Sequence, residues 1–337
     1  MQTTGDTLRL DDFTSKSDIH GHRQPRVYGE ALLRAARADN RIIALGADLS
    51  ASTETDLVRD ALPDQFRMIG MAEANLIGVA AGMARCGDIP VTHTFSVFST
   101  RRCFDQIAMQ IAYSGLNVKL VGFLPGLTTP LGVSHQAIDD VALMRALPNM
   151  TVVEPSTQEE VEPLLTAALG HSGPVYLRMR RFNAPPCDTS ESEPPVVLGE
   201  PVLLKEGADC VVFAAGLLVA EALEAAHVLA AEHGIRVRVV NVHTLKPLAA
   251  ESVTRLCNGM RAVITAENHS VIGGLGTAIA EIMAEAGLSL PLRRVGLQDT
   301  FAEGGSTPYL FDKYGLTARS IIQHVRQAVD NGARCDA

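Results

Sequence analysis

The chain alternates short apolar runs with longer helical patterns, and this alternation is the feature that most limits its possible folds. The apolar runs are rich in Val, Ile and Leu and lie at residues 41–45, 90–95, 117–122 and 174–178. Patterns with helical spacing lie between them, for example at residues 72–85 and 100–115. Buried strands joined by helices form a parallel sheet that helices cover on both faces. The sequence therefore predicts an α/β fold with doubly wound sheets.

A proline-rich stretch interrupts the alternation and divides the chain in two. Residues 182–201 contain five prolines and the acidic run Ser-Glu-Ser-Glu, a composition typical of a linker. Beyond it the alternation resumes on a smaller scale, and a length of 337 residues suits two domains. We predict a loose N-terminal arm at residues 1–26, a first α/β domain at 27–185, a linker at 186–200 and a second, smaller α/β domain at 201–337.

Charge, hydropathy and cysteine pattern exclude several classes of function. The 29 Lys and Arg against 38 Asp and Glu give a net charge of -9, which disfavours nucleic acid because phosphate binding needs a clustered basic surface. No apolar run approaches the ~20 residues of a membrane span, and the N-terminus lacks the build of a signal peptide. The six cysteines are isolated and indicate reduced thiols. We expect a cytoplasmic protein with no metal site of its own and no nucleic-acid or membrane partner.

Candidate chemistry is expected where parallel strands end, because ligands bind outside their carboxyl ends. Glu73 lies in the first turn of the predicted helix at 72–85, where the helix dipole stabilises a carboxylate. Phe95 and Phe98 follow a predicted strand, in a chain with only 4% aromatic residues. Two rings beside one acid suit a flat heteroaromatic ligand, with the acid on a ring nitrogen and a ring stacked on its face. Plain charge complementarity and core packing are the ordinary alternatives.

Histidines and arginines near other predicted strand ends are further candidates. His135 lies in a Gly-, Pro- and Thr-rich loop, which is a better place to touch a polar substrate than a core position. His93 begins the phenylalanine segment and is equally consistent with a buried, hydrogen-bonded histidine. Arg178, Arg180 and Arg181 form a basic cluster that suits either a phosphate or carboxylate ligand or ion pairs at an interface.

Motifs of several other chemistries are missing from the sequence. It contains no GxGxxG, P-loop, GxSxG or HExxH motif. The run Gly-Gly-Leu-Gly at residues 273–276 opens a predicted helix and resembles a phosphate loop, but tight turn chemistry is the expected explanation.

Eight segments, taken in chain order, match the pattern of one enzyme family. The first five are GADLS (46–50), RMIGMAEANLIGVAAGMA (67–84), HTFSVFSTRRCFDQI (93–107), SHQAIDDVALMRALPNMTVVEPS (134–156) and GPVYLRMRR (173–181). The last three are AENHSVIGGLGTAIAEIMAE (266–285), DTFAEGG (299–305) and YGLTARSI (314–321). The first set resembles the pyrimidine-binding domain of transketolase-type thiamine-diphosphate enzymes, and the second resembles their C-terminal domain. The resemblance covers about residues 27–330 and rests on the ordered set rather than on one motif.

The resemblance implies roles for individual residues. Glu73 matches the glutamate that hydrogen-bonds N1′ of the aminopyrimidine of thiamine diphosphate and so activates the cofactor. Four residues have implied roles at the cofactor: Phe98 stacks on the pyrimidine, Phe95 is its neighbour in the pocket wall, Arg101 matches an arginine of deoxyxylulose-phosphate synthases, and Asp48 matches a cofactor-proximal aspartate. Two have implied roles at the substrate: His135 meets substrate hydroxyls, and Arg181 binds a sugar phosphate. His93 is retained as a candidate substrate contact. The implied reaction moves a two-carbon ketol unit from a ketose or ketose phosphate to an aldehyde acceptor.

An absent motif implies a divided enzyme. Full-length transketolases begin with a domain that holds the diphosphate through Mg2+, using a GDG motif and a downstream Asn, and no GDG occurs here. The resemblance therefore implies the C-terminal half of a split transketolase, with the diphosphate and Mg2+ held by a separate N-terminal subunit. The paired pyrimidine domains of the family imply self-association into an α2β2 heterotetramer with the active site between the chains.

One loop departs from the family pattern. The family reads roughly T-H…G-E-D-G-x-T-H-Q and places a histidine and an aspartate where this sequence has Phe123 and Leu131. Apolar groups there leave the hydroxyls of a sugar acceptor unpaired, at a cost of ~1–3 kcal/mol each if they are buried. We therefore expect an acceptor other than an ordinary pentose phosphate, such as a less hydroxylated or carrier-linked aldehyde.

Two other functions remain open at this point. The β subunit of a 2-oxoacid dehydrogenase decarboxylating component shares the glutamate, the two-domain build and the need for an α partner. The run DDVALMRALPNMTVVEPS (139–156) and the arginine-rich helix favour transketolase over it. The other alternative is a non-catalytic subunit that only completes an interface, and Glu73 argues against that reading.

Overall fold

The structure is a computed structural model that describes residues 26–182 and 196–332. The predicted N-terminal arm, apart from Arg26, and most of the predicted linker lie outside these residues. Twelve strands are present in the described ranges: β1 (Ile42–Gly46), β2 (Phe66–Met68), β3 (Ile89–Phe95), β4 (Lys119–Phe123), β5 (Thr151–Val153), β6 (Val175–Met179), β7 (Val202–Lys205), β8 (Cys210–Ala214), β9 (Val237–Asn241), β10 (Thr244–Lys246), β11 (Val263–Ser270) and β12 (Leu292–Leu297).

The α-helices of the described ranges alternate with these strands. They are α1 (Val27–Ala38), α2 (Asp56–Ala61), α3 (Glu73–Arg85), α4 (Ser96–Ser99), α5 (Phe104–Gln106), α6 (Asp140–Ala146), α7 (Val161–Gly170), α8 (Leu218–His233), α9 (Ala250–Cys257), α10 (Leu275–Glu285), α11 (Thr307–Lys313) and α12 (Ala318–Gly332). None of the helices in these ranges is long and apolar enough to span a bilayer.

Two mostly parallel sheets confirm the predicted α/β class. The first has seven strands in the order β10-β5-β6-β4-β3-β1-β2, and the second has five in the order β12-β11-β8-β9-β7. The central strands β1, β3, β4, β6 and β8 are buried along their whole length, as the continuous apolar runs predict. Among the strands of the described ranges, only the edge strands β10 and β7 run antiparallel to their neighbours.

The edge strand β10 was not predicted, and it joins the two halves of the chain. This strand of three residues comes after β9, yet it pairs with β5 of the first sheet, with Thr244 opposite Val153. Nζ of Lys246 donates a hydrogen bond to the carbonyl of Arg145, which fixes the strand beside α6. A run this short has no period to detect in the sequence.

The helix predicted at residues 100–115 is wrong in detail. The segment contains a 3-10 turn at Arg101–Cys103, then α5, then a π-helix at Ile107–Ala112. Thr100 interrupts it, because its backbone (φ -124°, ψ -78°) is not helical and its hydroxyl donates to the carbonyl of Ser96. Beyond this interruption, Arg101 lies near Asp139 and Arg102 binds Glu73.

A buried cation ties the two domains together. Arg178 of β6 is 1% exposed and donates to Asp140 of α6 at 2.8 Å and to Glu154 at 3.0 Å. Its Nη2 also donates to the carbonyl of Asn268, in β11 of the second domain, at 2.7 Å. Burial of paired charges at this depth requires that every partner stays in place. The basic cluster of the sequence therefore contributes an interface ion-pair network at Arg178.

Candidate active site

The carboxyl ends of β1 and β3 meet where the connections of the first sheet diverge. From β1 the chain runs outward to β2, whereas from β3 it runs the other way to β4. Open α/β sheets bind ligands in the crevice that such a divergence leaves. The segments that follow β1, β2, β3 and β4 all begin at this edge, and they carry most of the predicted site residues.

Glu73 is a buried carboxylate at this edge. It is the first residue of α3, and its side chain is only 5% exposed. Nη1 of Arg102 donates a hydrogen bond of 2.9 Å to Oε1 of Glu73. The N-terminus of the helix and the guanidinium both stabilise negative charge here.

Three rings form a wall next to this ion pair. Phe95 ends β3 and Phe98 lies in α4, and their ring centroids are 6.2 Å apart with an angle of 27° between the planes. The ring of His135 meets Phe98 edge-on at 5.2 Å and Phe95 at 6.2 Å. The loop after β4 thus brings His135 against the two phenylalanines, as expected for one site.

Arg102 joins the carboxylate to the aromatic wall. Its Cζ lies 3.9 Å from the centroid of Phe98, so the guanidinium covers the face of that ring while it binds Glu73. The sequence predicts the neighbouring Arg101 as a site residue and does not indicate Arg102. The local backbone conformation determines in which direction each of two adjacent arginines points, and the sequence does not specify this conformation.

The second domain holds the loop that carries His135. The backbone N–H of Leu127 donates to Oδ1 of Asn268 at 2.9 Å, and Nε2 of Gln136 donates to the carbonyl of Glu303 at 3.0 Å. Gly126 adopts a φ of +57°, and a Cβ there would lie 2.3 Å from the carbonyl oxygen of Asn268. Only glycine fits this close approach. The second domain therefore positions a site that belongs to the first.

His135 is half-buried and favours the neutral form. Burial lowers the pKa of His135 first, and the nearby Arg102 cation lowers this pKa further. One ring nitrogen, Nδ1, lies 2.9 Å from the hydroxyl of Ser134. Nε2 has no hydrogen bond among the described residues, so a substrate hydroxyl can pair with it.

Replacement of Arg102 should change the titration of His135. In Arg102→Ala we expect the pKa of His135 to rise, because a cation that opposes protonation is removed, yet to stay below its ordinary value because burial remains the larger cause. A histidine NMR titration checks this, with the signal assigned from His135→Gln. An unchanged or lower pKa in Arg102→Ala would contradict the placement of the two side chains.

His93 lies in the core and away from the aromatic wall. It is 1% exposed in β3, with Nε2 2.6 Å from the hydroxyl of Tyr28 and Nδ1 3.2 Å from the carbonyl of Leu45. Burial lowers the pKa of His93 to about 3, so the ring is neutral, donates from Nδ1 to the carbonyl and accepts from the tyrosine. The structure places it as a buried, hydrogen-bonded histidine, which is the alternative interpretation of the sequence.

The remaining predicted residues lie around the same edge. Asp48 follows β1, is exposed and has a φ of 123°. Arg101 is exposed and its Nη1 lies 3.7 Å from Oδ2 of Asp139, which places it at the entrance to α6. Arg181 follows β6, and its Nε donates to the carbonyl of Ser52 at 3.1 Å. Asp48 and Arg101 are exposed and Arg181 is half-buried, and the structure does not bring any of the three into contact with Glu73.

The two positions that depart from the family pattern have different surroundings. Phe123 is fully buried at the end of β4, where its ring meets Tyr28 edge-on at 5.4 Å. Leu131 is 43% exposed in the loop after β4. Only Leu131 is therefore placed to meet a ligand directly.

The glycine-rich run at residues 273–276 is occupied by a carboxylate of the chain itself. Oε2 of Glu267 accepts from the N–H of Leu275 at 2.7 Å, and Oε1 accepts from the N–H of Gly276 at 2.8 Å. A Cβ on Gly274 would lie 1.9 Å from Oε2, which explains the glycine. The N-terminus of α10 thus binds Glu267 in place of a phosphate, and a structural use of this run is confirmed.

Neither a metal nor a thiol nucleophile is indicated near Glu73. Within residues 26–182 and 196–332, no group of three or more His, Cys, Asp and Glu side chains could hold a metal ion. Cys103 is fully buried, and burial followed by the Glu73 charge raises the pKa of this thiol to about 12. The thiol stays protonated at neutral pH and therefore does not act as a nucleophile.

Comparison with known proteins identifies the family. Residues 25–186 match the family model of the transketolase pyrimidine binding domain, and residues 199–321 match the transketolase C-terminal domain. A 6-deoxy-6-sulfo-D-fructose transketolase subunit, SqwH, of Clostridium sp. (strain MSTE9) is 46% identical over 94% of this chain and 97% of its own length. The chain belongs to the transketolase family.

Other members of the transketolase family agree with this placement. A solved split gene transketolase, described as an inactive beta4 tetramer, is 41% identical with a TM-score of 0.81, over 90% of this chain and 97% of that one. The 1-deoxy-D-xylulose-5-phosphate synthase of Symbiobacterium thermophilum is 34% identical over 88% of this chain but only 45% of its own length. The family resemblance seen in the sequence is confirmed, and the 2-oxoacid dehydrogenase alternative is not favoured.

Proposed function

We propose that this chain is the catalytic half of a thiamine-diphosphate-dependent transketolase that moves a two-carbon ketol unit from a ketose or ketose phosphate to an aldehyde. The observation that carries the proposal is the buried Glu73 carboxylate beside the near-parallel rings of Phe95 and Phe98. A flat heteroaromatic ring with a basic nitrogen fits this pairing of acid and rings. Membership of the transketolase family, whose members depend on thiamine diphosphate, supports the same cofactor here.

The residues present fit the aminopyrimidine end of that cofactor. Phe98 would stack on the ring, Phe95 would close the wall, and Oε1 of Glu73 would pair with ring nitrogen N1′. When bound, the cofactor supplies a nucleophilic carbon for cleavage and formation of a C–C bond. Glu73 holds and returns the proton at N1′, and its burial excludes the water that would compete for this proton.

His135 has the geometry for substrate contact. Its neutral ring can accept from or donate to a hydroxyl of the ketose at Nε2 while Nδ1 pairs with Ser134. Asp48, Arg101 and Arg181 are proposed as rim contacts, the arginines for an anionic substrate group and Asp48 for the cofactor.

We propose that the diphosphate and Mg2+ are held by a separate N-terminal subunit. The relative SqwH is named as a subunit and is matched over 97% of its length. The solved split gene relative is described as an inactive tetramer of beta chains, which supports a need for a second chain and a paired α2β2 assembly. The four described cysteines are free thiols, in keeping with the cytoplasmic location that we propose.

The experiment is reconstitution with a partner chain that carries GDG and a downstream Asn. Ketol transfer from xylulose 5-phosphate to an aldehyde is the expected activity. Acylation of a lipoyl group in place of ketol transfer would favour the 2-oxoacid dehydrogenase reading. Full activity after loss of Glu73 would favour a non-catalytic interface subunit.

Leu131 should control the choice of acceptor. We propose an acceptor that is less hydroxylated than ribose 5-phosphate, because the exposed leucine offers no hydrogen bond to a sugar hydroxyl. In Leu131→Asp the ratio of kcat/KM for ribose 5-phosphate to that for glycolaldehyde should rise by about two- to tenfold, as one gained hydrogen bond allows.

Val133→Asp is the matched control for this change. Val133 is 47% exposed in the same loop, so the variant adds the same charge beside the site without replacing Leu131. An equal shift in both variants would show a general charge effect. Wild-type turnover of ribose 5-phosphate at the rate of an ordinary transketolase would overturn the acceptor proposal itself.

A further inference from the structure

A single side chain, Arg102, covers both groups that the pyrimidine is proposed to use. Its Nη1 lies 2.9 Å from Oε1 of Glu73, and its Cζ lies 3.9 Å from the centroid of Phe98. Among the described residues, Glu73 is the only hydrogen-bond acceptor of this guanidinium. The arginine thus holds the proposed acid and the proposed stacking face at the same time.

These contacts compete with a bound pyrimidine. A ring stacked on Phe98 needs the layer about 3.5–4 Å above it, which is where the planar guanidinium lies. N1′, which pairs with Glu73 through one shared proton, needs the carboxyl oxygen to which Nη1 donates. An aminopyrimidine therefore cannot take its full set of contacts until Arg102 leaves.

The structure also gives a reason for the arginine to be there and to leave easily. Glu73 is 5% exposed, and a buried carboxylate without a partner is costly. Arg102 is 50% exposed, so its charge returns to water when it moves. Release of Arg102 is favourable only when Glu73 gains another partner, such as a ring nitrogen that shares one proton with the carboxyl group, which couples the motion to ligand arrival.

We propose that Arg102 is a place-holder that occupies the pyrimidine subsite of the unliganded chain and is displaced when the cofactor's aminopyrimidine binds. The inference rests on the proposed function in taking Glu73 and Phe98 as that subsite. Arg102 acts through these two groups and is a positioning residue. The affinity of the free chain for the pyrimidine is therefore reduced. It equals the affinity of the open subsite multiplied by the fraction of molecules in which the subsite is open.

The test measures binding of a cofactor fragment to the full chain. The probe is 4-amino-5-hydroxymethyl-2-methylpyrimidine, which pairs with Glu73 through one proton shared with its ring nitrogen and needs neither Mg2+ nor the diphosphate-binding partner. Its dissociation constant is measured by NMR titration for wild type, Arg102→Ala and Arg85→Ala. Arg85 is an exposed arginine at the other end of α3 and is hydrogen-bonded to Ser114, so it controls for loss of charge and of folding.

The place-holder proposal predicts that Arg102→Ala binds the probe more tightly, whereas a defect in folding would weaken binding. Arg102→Ala should bind the probe about five- to tenfold more tightly than wild type, because the ligand no longer breaks a charge-assisted hydrogen bond and a cation–π contact. Arg85→Ala should match wild type. Arg102→Lys, which keeps the charge but loses the planar stack, should lie between. Equal or weaker binding by Arg102→Ala, or no binding by either protein, overturns the inference.

Two further variants separate this inference from the proposed function. Glu73→Ala and Phe98→Ala should each weaken binding of the probe to the Arg102→Ala chain. If they do while Arg102→Ala alone brings no gain over wild type, the pyrimidine subsite stands and the place-holder fails. If binding does not depend on Glu73 or Phe98, the proposed subsite itself is wrong.

Discussion

Replacement of Glu73 by alanine should lower the ketol-transfer kcat of the reconstituted two-chain enzyme by about 10²–10⁴-fold, the range expected for loss of a positioned acid–base group. The carboxylate is 5% exposed at the start of α3, and among the described residues its one hydrogen-bond donor is Arg102. Without it, nothing in the described part of the site can hold the proton at N1′. Steady-state turnover with saturating cofactor measures the effect.

Two variants make this result specific to the carboxylate. Glu73→Gln keeps the size and polarity of the side chain but cannot take up the proton, so it should be nearly as inactive as Glu73→Ala. Glu30→Ala removes a glutamate that is also in the first turn of a helix but is exposed, and it should retain wild-type turnover. Turnover within twofold of wild type for Glu73→Ala would contradict an acid–base role.

Of the substitutions proposed for this chain, replacement of Arg178 by methionine should lower the free energy of unfolding most. The guanidinium is 1% exposed and pairs with Asp140 and Glu154, and it also binds the carbonyl of Asn268 across the domain interface. Removal of one partner from a buried ion network leaves uncompensated charge and costs about 3–5 kcal/mol. The free energy of unfolding from urea titration measures this cost.

An exposed ion pair provides the control for Arg178→Met. Arg34 and Glu162 form a pair at 2.7 Å with side chains 53% and 51% exposed, so Arg34→Met should cost less than about 1 kcal/mol. The interdomain carbonyl contact adds a second readout, because Arg178→Met should also loosen the loop that carries His135 and raise its hydrogen-exchange rate. A cost for Arg178→Met equal to that for Arg34→Met would contradict the role of Arg178 as the interdomain tie.

The fold was predictable because its signals are local and repeated. Buried strands such as β1 and β4 are continuous apolar runs, and the helices between them are long enough to show their period. The edge strand β10 was missed because three residues carry no period and its partner β5 lies some ninety positions earlier. Whether such a short segment forms a strand depends on its pairing with a distant strand.

The site was predictable where residue type and position point the same way. Phe95 ends a strand and Glu73, Phe98 and His135 follow strand ends, and the parallel sheet brings those ends to one edge. Arg102 was missed because residue type does not distinguish two adjacent arginines, and the non-helical backbone at Thr100 leaves no helical period from which to assign their directions. His93 was predicted as a substrate contact from its residue type, but a polar side chain in a strand can face the core when it has hydrogen-bond partners there, as His93 does in Tyr28 and the carbonyl of Leu45.

The most direct test of the central proposal compares ketol-transfer activity of this chain alone, of a GDG-containing partner alone and of the two mixed at equal concentration, with thiamine diphosphate and Mg2+ present. We predict activity only in the mixture, loss of that activity with Glu73→Ala, and tight cofactor binding only when both chains are present. Ketol transfer by this chain alone, or by a mixture that does not depend on Glu73, would contradict it.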